Sequence, residues 1–155
     1  MSRENIKTLH GTPLGEHLEI DPATGMQKDY VVLTEEERAK GFVRPVRRDY
    51  IHTGKRPKHP LRDLTSEERE RYPEYVKFEE YPASSHPTTG RFWSAKDLNS
   101  GCGFVTTMSV EIAESYARNP RFYSGTMCVH CKAHFDVGAA GEFIWNDGSG
   151  EKVGT

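Results

Sequence analysis

Thiols and imidazoles are the side chains of this chain best equipped for chemistry, and they are concentrated in one stretch. All three cysteines, Cys102, Cys128 and Cys131, fall within residues 100–135, together with two of the seven histidines. Cys128-Val129-His130-Cys131 leaves two residues between thiols, a spacing that lets both sulfurs meet one tetrahedral ion at about 2.3 Å. Structural zinc takes four ligands, so three cysteines leave one place for a histidine. The candidates are His52, His86, His130 and His134. His130 lies inside the short loop, which turns its side chain away from the ion. His134 continues the run as Cys-x2-Cys-x2-His. His52 ends an extended segment, and Cys102-Gly103 begins where a long stretch of different composition stops. If that stretch closes on itself, His52 and Cys102 become half of a second knuckle facing the first. The preferred set is therefore His52, Cys102, Cys128 and Cys131 around one structural zinc ion, with His134 as the alternative fourth ligand.

Other chemistries fit less well. Zinc deaminases combine His-x-Glu with Pro-Cys-x-x-Cys. His17-Leu18-Glu19 is present but lies over a hundred residues before Cys128, and Met127 stands where that motif has proline. A nucleophilic cysteine needs a partner histidine and no metal competing for its thiolate; Cys102 with His134 is the one pair to consider. Glu142, on a following strand, is poorly placed to be a general base beside a catalytic zinc. No glycine-rich phosphate loop and no His-Glu-x-x-His occur. A zinc-dependent hydrolase or deaminase is thus disfavoured, and the reading leans away from an enzyme.

The elements that must position the ligands are short. His17–Ile20 and Tyr30–Leu33, separated by the turn Asp21-Pro22-Ala23-Thr24-Gly25, predict a hairpin over 17–33. Residues 1–16 read as a loosely held tail. Thr34-Glu35-Glu36-Glu37 and Thr65-Ser66-Glu67-Glu68 each open a short helix with a capping box. Residues 42–52 read as extended, with Pro45 favouring a sheet edge. Tyr75–Phe78 is a short strand candidate, followed by a loop from Pro82 to Gly90. Met108, Ile112, Ala113, Tyr116 and Ala117 share one face of a helix over 108–118, with Glu111, Glu114, Ser115 and Arg118 outside; Thr107 or Ser109 caps it and Asn119-Pro120 stops it. Glu142–Trp145 reads as a strand before the turn Asn146-Asp147-Gly148.

Composition limits the rest. With 155 residues, 35% hydrophobic and 28% charged, one domain with a modest core is expected, and a small core gains from a metal staple. Three cysteines cannot all pair within one chain, and no apolar N-terminal stretch or membrane-length run is present, so a soluble protein of a reducing cytoplasm is expected. The net charge of −2 favours no partner. Locally, however, Arg44, Arg47, Arg48, Lys55, Arg56, Lys58 and Arg62 face a single acid, Asp49. Such a run can neutralise phosphates, with Tyr50 and Phe92 as stacking surfaces, although charge runs are more often solvated faces.

Cys-Gly-x-Val-Thr-Thr-Met, Ala-Glu-Ser-Tyr-Ala-Arg-Asn-Pro-x-Phe-Tyr, Cys-x-x-Cys-x-x-His-Phe, Gly-Glu-Phe-x-Trp and the closing Val-Gly-Thr together resemble an uncharacterised family of small zinc-binding proteins encoded by bacteriophages and prophage-like elements. The resemblance covers residues 42–52 and 101–155, and reaches into 60–65. In shorter members an extended segment ending Tyr-x-His runs almost directly into Cys-Gly, which supports pairing His52 with Cys102. The resemblance implies a mobile-element origin in a bacterial host cell and a zinc-ribbon-like core, and carries no activity with it. Asp136, where proline is common, and the extra Ala139-Ala140-Gly141 depart from the pattern.

The expectation is an α+β fold: a small zinc-ribbon-like β core from residues 42–52 plus 101–155, one main amphipathic helix, and an irregular insertion over 53–100. The expected role is a non-enzymatic, zinc-stabilised interaction module binding a protein partner. The alternative is a nucleic-acid-binding zinc ribbon using Arg44 to Arg62.

Overall fold

The structure, a computed structural model, describes residues 3–82 and 90–155. The chain forms two compact units, one from Met1–His52 with Cys102–Thr155, the other from Thr53–Gly101. The fold is α+β, built from several small antiparallel sheets. The first part of the larger unit supplies strands β1 (Ile6–Thr8) and β2 (Val31–Leu33), helix α1 (Glu35–Arg38) and strand β3 (Asp49–His52). The smaller unit supplies β4 (Leu61–Asp63), α2 (Ser66–Arg71), β5 (Lys77–Glu80), β6 (Gly90–Trp93) and α3 (Ala95–Leu98). The returning chain adds β7 (Val105–Thr107), α4 (Val110–Arg118), β8 (Gly125–Cys128), β9 (Ala133–Asp136) and β10 (Phe143–Trp145). Among the described residues no helix is long and apolar enough to cross a membrane.

In the larger unit β3 is the middle strand of a three-stranded sheet, between β10 and β7. The edge position expected for residues 42–52 does not hold. Pro45 lies ahead of the strand in an irregular segment, where the Val43 and Arg44 N–H groups donate to the Ala117 carbonyl, so proline removes no ladder bond. A second sheet pairs β8 with β9, and a third pairs β1 with β2. The core collects Tyr50, Met108, Ala113, Tyr116, Cys128, Phe143, Trp145 and Val153. Its aromatic rings meet edge to face, Tyr50 on Phe143 at 5.3 Å and Tyr116 on Trp145 at 5.6 Å, the geometry that the ring quadrupole favours.

Helix α4 starts where Ser109 accepts the Ile112 N–H, and it buries Ala113, Tyr116 and Ala117 as its periodicity predicts. Ser115 departs from that pattern. Expected on the outer face, it is fully buried, accepting the Leu33 N–H at 3.0 Å and donating to the Glu111 carbonyl. The reason is the N-terminal segment, which is no loose tail: β1 pairs with β2, and β2 lies against α4. Helix periodicity sees only the core side, and here a second layer covers the other. The hairpin expected over 17–33 reduces to one bridge, Ile20 to Gln27, around the turn at Asp21.

The smaller unit has more regular structure than the irregular insertion expected from its composition. Strands β4, β5 and β6 form an antiparallel sheet. Phe92 packs with Tyr72, Tyr75 and Phe78. Buried Trp93 donates Nε1–H to Glu79 at 2.8 Å, and the same carboxylate accepts the Lys58 and His59 N–H groups. A buried carboxylate with its acceptor sites filled is tolerated where a bare one is not. The full capping box predicted at Thr65 and Glu68 is present. At Thr34 the side chain accepts the Glu37 N–H as expected. The loop expected from Pro82 to Gly90 lies almost entirely outside the described residues.

Candidate metal centre

Three separate stretches of the larger unit converge on one point. His52 is the last residue of β3, Cys102 precedes β7, and Cys128 ends β8. Backbone pairing brings the first two together: the Gly103 N–H donates to the His52 carbonyl at 2.9 Å, and the His52 N–H to the Phe104 carbonyl at 3.3 Å. On the other side, the Lys132 N–H closes on the Cys128 carbonyl at 2.9 Å, folding Cys128–Cys131 into a tight loop. Each half ends in a left-handed residue, Gly103 at φ +77° and Lys132 at φ +55°.

The ligand atoms of His52, Cys102, Cys128 and Cys131 all lie within 4.8 Å of one another. Cys102 and Cys128 Sγ are 3.5 Å apart, as are Cys131 Sγ and His52 Nδ1. A tetrahedron with arms of about 2.3 Å has edges of about 3.8 Å, so this group can hold a metal ion. Cys128 is fully buried, Cys102 half-buried and Cys131 the most open of the three. Without a cation the cluster is electrostatically awkward. Loss of hydration, then the adjoining Cys128 and Cys102 sulfurs, push the Cys131 thiol up to about 12. A divalent cation inverts that preference by favouring the thiolates.

The buried His52 ring is held on both faces and at its far nitrogen. Phe135 stacks on it with centroids 4.4 Å apart, and Phe143 lies at 4.9 Å. His52 Nε2 is 3.1 Å from Glu142 Oε1. Where the carboxylate accepts from Nε2, Nδ1 is left with its lone pair on the side of the sulfurs. Glu142 is the neighbour of the candidate site that sequence reasoning missed. Its signal was a carboxylate opening an apolar strand, a position that demands a partner when buried.

His134 lies outside the cluster. Its Nε2 is 2.9 Å from the Tyr30 hydroxyl, and burial lowers its pKa below the usual histidine value. His130 stacks on exposed Phe104, centroids 3.9 Å apart, away from the ligand group. His86 lies outside the described residues.

The basic stretch is divided between the two units and largely engaged in local contacts. Arg47 contacts Asp147 at 3.2 Å and Glu151 at 2.9 Å and lies over Trp145, with its side chain only 10% exposed. Arg48 donates to the Met108 carbonyl, and Arg44 to the carbonyls of Val43 and Thr155. In the smaller unit Arg62 pairs with Glu68 and Glu80, Lys55 with Asp97, and Arg56 donates to the Thr53 carbonyl; the Lys58 backbone is held by Glu79. Neither expected stacking surface is open: Tyr50 is a core residue and Phe92 is packed among other rings. No protein-family model, curated protein or solved structure matches the chain, so function has to be read from the site itself.

Proposed function

We propose that His52, Cys102, Cys128 and Cys131 bind one structural zinc ion, and that the unit it staples is a non-enzymatic interaction module for a protein partner. The observation that carries this reading is the closed ligand set, four ligand atoms within 4.8 Å of one another. Three thiolates and an imidazole in a tetrahedral array suit zinc, and four protein ligands leave no position for a reacting water. Glu142 is bonded to the far nitrogen of His52, on the side away from the ion, so it is not placed as a general base. An ion there joins strand ends distant in sequence, and its binding free energy becomes folding free energy.

A protein partner is supported by apolar surface at and beside the knuckle. Phe104, Val105 and Val129 are 55, 44 and 49% exposed, and His130 lies flat on Phe104. Clustered apolar exposure of this kind marks contact surfaces. A mobile-element origin and a zinc-ribbon-like ancestry rest on the sequence resemblance alone.

Metal analysis of protein purified without added zinc tests the first claim. One zinc per chain is expected, lost in His52→Ala and kept in His134→Ala, with cooperative unfolding on chelation. Zinc loss in His134→Ala but not in His52→Ala overturns the ligand set, and an apo protein with unchanged thermal midpoint overturns the structural role. For the second claim, Phe104→Asp should keep zinc and fold yet lose the proteins that the unaltered chain captures from host lysate. Identical capture by both proteins counts against that surface.

A further inference from the structure

Strand β7 is a bare edge of its sheet. The sheet runs β10-β3-β7, so β7 has a neighbouring strand on one side only. The opposite margin, β10, is covered: Lys152 bridges to Ile144, the Trp145 N–H donates to the Glu151 carbonyl, and the Val153 N–H to the Phe143 carbonyl. On β7 the hydrogen bonds toward β3 fall on every second residue. The His52 N–H donates to the Phe104 carbonyl and the Met108 N–H to the Arg48 carbonyl, with Thr106 opposite Tyr50 in the same register. In an antiparallel ladder the intervening residues turn their backbone groups the other way. Those residues are Val105 and Thr107, both exposed. Among the described residues their N–H and C=O groups make no backbone hydrogen bond. Natural edge strands are commonly blunted by charge or proline, and Phe104-Val105-Thr106-Thr107-Met108 carries neither.

A row of outward N–H and C=O groups specifies an extended backbone, since an added strand presents matching groups at the same spacing. The side chains beside the row say what kind. Phe104, Val105 and Val129, the exposed apolar surface already described, border this edge, and the Val129 N–H donates to the Thr106 hydroxyl. Residues directly opposite one another on paired strands share a face. A residue placed opposite Thr106 therefore points to the face on which Thr106 lies. There Thr106, Met108 and Met127 line an apolar cavity of about 240 Å³, with the exposed Met26 and Val129 at its rim. A second copy of the chain, paired symmetrically about Thr106 so that both strands use all their outward groups, would bring only a threonine to that position. A partner strand with a large apolar residue there satisfies the edge and the cavity together, as a buried anchor side chain does at the centre of an interface.

We propose that the open edge of β7 binds an extended segment of the protein partner as an added strand, with one large apolar side chain of that segment opposite Thr106 and directed to the cavity. This rests on the reading of the chain as an interaction module, and adds how the partner is held. The test uses the full chain with its purified metal content and a displayed library of random linear peptides. Selected peptides should carry a large apolar residue within a β-branched, extended pattern. Their binding should slow amide hydrogen exchange at Val105 and Thr107, the two outward donors. Val105→Pro removes one of those donors without touching a bond to β3, and should weaken the peptides about 10-fold or more. Peptides that bind without slowing exchange at Val105 and Thr107, or that bind Val105→Pro equally well, overturn the proposal, as does a selection that yields none. If that variant does not fold, the exchange measurement on the unaltered chain decides. A concentration-dependent dimer that protects the same two amides assigns the edge to a second copy and overturns the proposal too. Loss of host-protein capture in Phe104→Asp but not in Val105→Pro removes the added strand and leaves the interaction module standing.

Discussion

His52 presents Nδ1 to Cys131 Sγ at 3.5 Å while its Nε2 is held by Glu142 at 3.1 Å, so a single ring connects the sulfur cluster to a buried carboxylate. That contact, with Phe135 and Phe143 on its faces, holds the ring's direction, and a side chain already aimed would lose less freedom on taking an ion as proposed.

If the four residues hold zinc as proposed, Glu142→Gln keeps the shape of the side chain but removes the carboxylate that would support Nδ1 as a ligand. Zinc affinity should fall about 10- to 100-fold, the usual cost of losing such a supporting carboxylate. Competition with a chromogenic chelator measures it, and an unchanged affinity would show that Glu142 does not tune the site.

Gly25→Ala should disturb the knuckle from a distance in sequence. Gly25 is at φ +74°, and a Cβ there would fall 1.8 Å from the Lys132 carbonyl oxygen. Left-handed backbone costs a non-glycine residue about 1–2 kcal/mol before any clash is counted. The variant should lose at least that much stability in denaturant titration, with weaker zinc retention. A midpoint equal to that of the unaltered protein refutes the contact.

Arg47→Glu should destabilise the chain. It breaks contacts with Asp147 and Glu151 and removes the cation over Trp145. Hydrogen bonds to charged groups are worth about 1.5–3 kcal/mol, so a loss of about 2 kcal/mol is expected. A salt-titrated assay with single-stranded and duplex nucleic acid should detect no binding by the unaltered chain at physiological salt. Strong binding abolished by Arg47→Glu, with stability intact, would reinstate the basic stretch as an interface.

Asp29 supplies a pH dependence. Burial alone would raise its pKa, but N–H groups of Tyr30, His10 and Thr12 more than offset that and hold it at about 2. Because the folded value lies below the unfolded one of about 3.9, the stabilisation is full above pH 4 and is lost as pH falls through 2. Asp29→Asn should cost about 1–3 kcal/mol at neutral pH, with the difference from the unaltered chain shrinking between pH 4 and 2. A difference constant over that window would mean the carboxylate charge contributes nothing.

What the sequence determined by itself was local. The two-residue gap between Cys128 and Cys131 defines a knuckle without reference to the rest of the fold. Ser109 caps α4 and Thr65 with Glu68 boxes α2, because these bonds span only three residues. The α+β class followed from the same short-range patterns. Tertiary structure decided what depends on distant partners. The pairing of His52 with Glu142 joins positions 90 residues apart, and no periodicity encodes it. Ser115 is buried because β2 covers it, which the helix's own pattern cannot report. Likewise the arginines read as a free basic run were engaged by Asp147, Glu151, Glu68 and Glu80, acids whose nearness only folding creates. Dihedral preferences, caps and turns act over a few bonds and are legible in order along the chain. Burial and charge pairing act through space, and are settled only when the chain has closed on itself.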